Sequence, residues 1–246
     1  MLKVVAPAVP VTCWSCSVGH NESTLFCPHC SKIQPPSGSD FFTVFELAPR
    51  LNLDLASLEG EFHRLSRRLH PDRFARAAEN EKDWSLADTA LLNDAYRTLK
   101  DPITRTEYLL KLHGAEIGEE HSGMNRREGE MGASRVPADL LEEAFELNMQ
   151  LEEMRMAHKT GEEDPALRQE LYDARKKYEA LRDEVDCDLR VHWNAWDNGD
   201  EGSRQAAQRA MVGLLDRRRY LTNLVRDVTD TIEGKHGSGV LTKRGR

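Results

Sequence analysis

Apolar residues in this chain recur at steps of three and four, and prolines interrupt the steps. The clearest run is Leu55, Leu58, Phe62, Leu65 and Leu69, preceded by Asp54 and stopped by His70-Pro71-Asp72. Such steps place side chains on one face of a 3.6-residue helix, so the spacing predicts an amphipathic helix capped by the Asp54 carboxylate. Pro71 cannot continue that helix, and it pushes the residue before it out of the α region, so the helix must end at His70. Asp101-Pro102 and Asp164-Pro165 give the opposite signal: an acceptor at the N-cap, then proline at the first helical position. Gly114, Gly161 and Gly199 fall where helix ends are expected. The expected fold class is all-α.

The 246 residues separate by composition. Residues 1–34 carry four cysteines and little periodicity, and "QPPSGSD" follows as a linker, because Pro and Gly break both regular structures. Residues 40–114 form a compact helical domain, and residues 115–135, rich in Gly and charge, read as a flexible connection. Residues 136–233 hold three long helical patterns with short breaks, the mark of an up-down-up three-helix bundle. Residues 234–246 are expected to be a disordered tail.

Composition narrows the function. Charged residues make up 31% and aromatic ones only 7%, which suits solvated helices better than a β sandwich. No apolar run approaches the roughly 18 residues that cross a bilayer, and the N-terminus shows neither a signal peptide nor a transit peptide. The expectation is a cytoplasmic protein without membrane contact. A net charge of −8 argues against nucleic acid, which asks for a broad basic footprint.

Yet Arg64, Arg67, Arg68, Arg73 and Arg76 crowd around His70-Pro71-Asp72. "LLNDAYRTLKDP" follows with helical spacing of its own, so two antiparallel helices would project His70 and Asp72 from one tip. The motif could be a plain helix stop. A rigid polar tip beside a cationic helix face is also a docking surface for an acidic partner. Neither side chain has a nearby nucleophile or second carboxylate, and no phosphate-cradling loop is present, so the chain is not expected to be an enzyme.

"CWSC" and "CPHC" place Cys13, Cys16, Cys27 and Cys30 in two C-x-x-C pairs. Two such knuckles complete a tetrahedron of thiolates, and a segment this small has almost no core, so one structural zinc ion would supply its folding energy. A dithiol redox pair is the alternative, making the chain a thiol–disulfide oxidoreductase. A zinc-ribbon nucleic-acid binder would need a basic segment, and residues 1–39 hold only Lys3 and Lys32. His20 and His29 read as solvated loop residues.

In the first bundle helix, Leu140, Ala144, Leu147, Leu151 and Met154 form one complete core stripe. Leu141, Phe145 and Met149 make a second apolar row among Glu142, Glu146 and Glu153. That row is either a wider core face or an exposed groove with an acidic rim. In the last helix Leu214, Leu221, Val225 and Val228 are core candidates, with Tyr220 and Leu224 off that stripe. Trp193, Trp196 and Cys187 are assigned no role beyond packing.

"DFFTVFELAP", "HPDRF" and "LLNDAYRTLKDPITRTEYLLKLHG", with the acidic helices beyond, resemble the HscB family of J-domain co-chaperones from Asp40 to about Glu233. "CWSC…FCPHC…IQPP" resembles the N-terminal module of animal members. The resemblance implies a J domain over residues 40–114 and a co-chaperone that stimulates a heat-shock ATPase chaperone. It also implies delivery of the iron–sulfur cluster scaffold protein to that chaperone. His70, Pro71 and Asp72 would be the stimulatory turn, and Arg64, Arg67 and Arg68 the basic face that docks. The scaffold would bind Leu141, Phe145, Glu146, Met149, Tyr220 and Leu224. Glu142 and Met149 depart from the family, which usually carries an apolar residue at the first place and often an acidic one at the second. A J-domain co-chaperone for a different client stays open.

Overall fold

The computed structural model describes residues 10–21, 24–38, 40–117, 137–161 and 164–235. Most of the connection expected over 115–135 and of the tail expected over 234–246 lies outside them. The fold is all-α apart from one small hairpin, and it divides into two compact units, Met1–His113 and Gly114–Arg246.

The first unit opens with an antiparallel pair, β1 (Pro10–Thr12) and β2 (Gly19–Asn21), with Val11 opposite His20. Four helices follow: α1 (Phe41–Val44), α2 (Leu55–Leu69), α3 (Glu79–Lys100) and α4 (Pro102–Leu112). A 3-10 turn, Pro71–Phe74, links α2 to α3. The caps are those the sequence announces. Asp54 accepts the N–H groups of Ala56 and Ser57, and Asp101 those of Ile103 and Thr104. Each removes an orphan donor from a helix start, worth about 1 kcal/mol.

Leu58, Leu65 and Leu69 of α2 are buried with Leu92 and Leu99 of α3 and Leu109 and Leu110 of α4. Phe62 is half-buried and stacks on Tyr96 with ring centroids 4.1 Å apart. Leu55, expected on the same face, is 44% exposed; as the first helical residue it stands at the open end of α2. His70 takes φ −54° and ψ 128°, the extended conformation that Pro71 imposes. The Ser85 hydroxyl, fully buried on α3, donates to the Leu69 carbonyl at 2.6 Å.

The second unit holds a 3-10 turn, Ala138–Leu140, then α5 (Leu141–Thr160), α6 (Pro165–Asn198) and α7 (Glu201–Ile232). Leu140, Ala144, Leu147, Leu151 and Met154 are buried, as the spacing predicts. They meet Leu167, Leu171, Tyr178 and Val185 of α6 and Leu221, Leu224, Val228 and Ile232 of α7. Leu214 and Val225 pack against this core while partly buried. Trp193 and Trp196 are buried, and Cys187 is exposed. Asp186 and Arg218 tie α6 to α7 with an oxygen–nitrogen distance of 2.5 Å.

Gly161 ends α5 with φ +74°, the left-handed conformation glycine adopts freely. Gly199 ends α6 for a different reason. Its φ is −75°, but a Cβ there would lie 2.2 Å from the Ala195 carbonyl oxygen. The tight turn into α7 has no room for a side chain.

Asp88 on α3 is 1% exposed, and neither carboxylate oxygen has a hydrogen-bond partner. Burial raises its pKa to about 7, because the charged form loses water without gaining a partner. The unfolded group titrates near about 4. Its contribution to stability is therefore complete below about pH 4 and lost as pH rises through about 7. Urea unfolding should show the protein weaker at about pH 8 than at about pH 5, by at most about 3 kcal/mol from this group. Asp88→Asn should narrow that gap; an unchanged gap would mean that Asp88 does not cause it.

Candidate functional site

Cys13 and Cys16 lie on one turn and Cys27 and Cys30 on a second turn of the same build. Ser17 donates its N–H to the Cys13 carbonyl and Ser31 to that of Cys27, both at 2.9 Å. Ser17 and Ser31 share φ 59°. The N–H groups of Ser15 and His29 approach the Sγ atoms of Cys13 and Cys27 at 3.4 Å. All four Sγ atoms lie within 4.8 Å of one another. Across the two knuckles Cys13 Sγ lies 3.7 Å from Cys30 Sγ, and Cys16 Sγ 3.8 Å from Cys27 Sγ. A tetrahedral ion with metal–sulfur bonds of about 2.3 Å has edges of about 3.8 Å. The four cysteines therefore fit a metal ion.

Behind this cluster His20 corrects the expectation of a solvated loop histidine. It is 8% exposed, and its ring nitrogens meet Gln34 Oε1 at 3.0 Å and Thr24 Oγ1 at 3.1 Å. The Gln34 amide in turn reaches Cys13 Sγ at 3.5 Å. Hydrogen bonds of this kind orient metal-binding thiolates. The hairpin pairing turns His20 inward beside Gln34, which local spacing does not reveal. His29 is exposed, as expected.

The cysteine module lies against α2 and α3. The Arg68 guanidinium sits 3.9 Å from the centre of the Phe26 ring, and Trp14 meets Trp84 edge-on at 5.7 Å. Lys32 pairs with the buried carboxylate of Glu81 at 2.9 Å. Sequence reasoning gave Phe26 and Trp14 no part, since contacts this remote in the chain leave no periodic signal.

His70, Pro71 and Asp72 are all exposed. His70 Nδ1 accepts the Asp72 N–H at 3.3 Å, which ties the ring to the turn. Arg64, Arg67 and Arg68 follow three- and four-residue steps toward Pro71 and share one face of α2. Arg64 pairs with Glu61; the charge-assisted bond holds the Glu61 carboxyl below its ordinary range and raises Arg64. Arg67 is exposed and donates to the His63 carbonyl at 3.1 Å. Partial burial, then the neighbouring Arg64 charge, lower the Arg68 pKa.

On α5 the second apolar row faces water. Leu141 is 60%, Phe145 69% and Met149 61% exposed, with Glu142 and Glu146 exposed beside them. Tyr220 on α7 is half-buried. Leu224, expected off the core stripe, is instead 6% exposed and part of the core. Helix α7 packs on both α5 and α6, so it buries a face wider than one stripe.

No family model matches the chain. The human iron–sulfur cluster co-chaperone protein HscB is 40% identical over 111 residues, 44% of this chain and 47% of the human one. An Arabidopsis thaliana HscB homologue is 35% identical over 45% of this chain and 43% of its own length. The crystal structure of human HscB matches with a TM-score of 0.60 at 28% identity, over 89% of this chain and 97% of that one. HscB from Vibrio cholerae matches with a TM-score of 0.53 at 25% identity, over 80% of this chain. The chain is a homologue of the HscB co-chaperones. In sequence it spans about half the length of the curated relatives it matches. The human relative is named as a co-chaperone in both comparisons. No helix among the described residues is long and apolar enough to cross a membrane.

The two apolar faces of α5 should separate in thermal melts. Leu151→Ala removes a side chain that is 2% exposed and should cost about 2 to 5 kcal/mol. The double variant Leu141→Ala, Phe145→Ala should stay within about 1 kcal/mol of the wild type, since it strips surface already in water. A double variant melting as low as Leu151→Ala would return the outer row to the core.

Proposed function

We propose that this HscB homologue is a J-domain co-chaperone that docks on an Hsp70-type ATPase chaperone and stimulates its ATP hydrolysis. It would also deliver to that chaperone the scaffold protein on which iron–sulfur clusters are assembled. The observation that carries the reading is the exposed His70-Pro71-Asp72 tip, fixed by its own hydrogen bonds and adjoining the arginine face of α2. Arg64, Arg67 and Arg68 would meet an acidic surface of the chaperone and steer it into place, and the ATP would be bound and hydrolysed by the partner.

The scaffold would dock on Leu141, Phe145, Glu146 and Met149, with Tyr220 at the edge. An apolar row of this exposure is what a client-binding helix presents. Leu224 is no longer among the proposed contacts; it would act from the core. The four cysteines would hold one structural zinc ion, because an all-thiolate tetrahedron suits zinc and leaves no open position for catalysis. All four sulfurs converge on one another within 4.8 Å, which supports a shared ion over an isolated dithiol. A reducing, cytoplasmic setting would keep such thiols available.

His70→Gln should abolish stimulation of the chaperone in a single-turnover ATPase assay. Its stability should move by no more than about 0.5 kcal/mol, since the side chain is exposed. Calorimetric titration with the scaffold should be lost in the Leu141→Ala, Phe145→Ala variant and kept in His70→Gln. Undiminished stimulation by His70→Gln would sink the J-domain reading. Undiminished scaffold binding by the double variant would move the client elsewhere or replace it.

A further inference from the structure

Three contacts join the cysteine module to both arms of the hairpin that carries the tip. Phe26 lies under Arg68, two residues before His70; Lys32 holds Glu81 in the first turn of α3; Trp14 meets Trp84. The three arginines on the face of α2 are not in equivalent states. Arg64 is neutralised by Glu61, and Arg67 reaches back to its own helix. Arg68 makes no hydrogen bond or ion pair among the described residues, yet its guanidinium is held at 3.9 Å over a ring. A guanidinium packed against a ring gives up no N–H donor to an acceptor there, and its donors can still form a two-pronged fork that matches a carboxylate.

A free arginine on a helix surface samples many rotamers and loses that freedom when it binds. One already held against a ring loses less, and the difference appears as affinity. Phe26 immediately precedes Cys27 and forms a β-bridge with Ile33 across the second knuckle. The position of the ring would thus be set by the fold that the four thiolates close around a metal.

We propose that the cysteine module is a working part of the docking face: Phe26 holds the Arg68 guanidinium as a fixed fork for a carboxylate on the acidic partner, so that metal loading strengthens docking. This deepens the docking reading above and rests on it. Metal then acts at a distance from any chemistry, by ordering one side chain of α2.

The test is a double-mutant cycle in the full chain, titrated against the nucleotide-binding domain of an Hsp70-type chaperone at low salt. Phe26→Leu keeps apolar bulk and the backbone bridge but removes the ring; it should weaken binding about two- to fivefold. Arg68→Ala should weaken binding at least as much, and adding Phe26→Leu to it should change nothing further. Stripping the metal should weaken the wild type and leave Arg68→Ala unaffected, which keeps the cycle informative even if Phe26→Leu loses its metal. A partner-free readout accompanies it: Arg68 should react faster with phenylglyoxal in Phe26→Leu and in stripped protein. Phe26→Leu binding as tightly as the wild type, or more tightly, while Arg67→Glu and His70→Gln still impair the interaction, would overturn the proposal and leave the docking reading standing. Unchanged interaction in Arg67→Glu and His70→Gln as well would remove the docking reading itself.

Discussion

One backbone carbonyl fixes where the polar tip stands. Helix α2 ends at Leu69 because Pro71 cannot extend it, and the last carbonyls of the helix are left without ladder partners. The buried Ser85 hydroxyl takes up the Leu69 carbonyl, and Thr89 reaches the same oxygen at 3.5 Å. An unpaired carbonyl there would cost about 1 to 3 kcal/mol. The bond can form only when α3 runs back along α2, the arrangement that also stacks Phe62 on Tyr96 and buries Leu58, Leu65 and Leu92. The direction of the exposed turn is therefore decided inside the helix pair, and the loop residues inherit it.

The second unit carries a buried apolar stripe and an exposed apolar row on a single helix. The buried stripe of α5 is complete without its neighbours at Leu141, Phe145 and Met149. A row offset by one residue from a full stripe is surplus to the core and available for another molecule. Exposed acidic side chains at Glu142, Glu146 and Glu153 interleave with it and limit how much continuous apolar surface meets water.

Much of this was legible in the sequence, because caps, proline stops and three-four spacing are local signals. Asp54, Asp101 and Asp164 cap the helices they precede, and the stripe from Leu140 to Met154 is buried throughout. The four cysteines announced themselves by spacing alone. What escaped depended on partners distant in the chain. Periodicity identifies the face of a helix but not how many neighbours press on it, so Leu224 looked peripheral until α7 was found against both α5 and α6. His20 is buried by a hairpin and by Gln34, and Phe26 meets Arg68, forty-two positions later. No local pattern encodes such a pairing.

The crowded turn at Gly199 has a consequence in time. Helices α6 and α7 are joined by only Gly199 and Asp200, so the first contacts between them close a very short loop at small entropic cost. Successive contacts can then form outward from the turn, as in other helical folds with mostly neighbouring contacts, which assemble in microseconds to milliseconds. Cysteine knuckles that close around an ion would have to wait for it to arrive by diffusion. A newly made chain would then form its longest hairpin on an internal clock, while its N-terminal module matured on the schedule of the cell's metal supply.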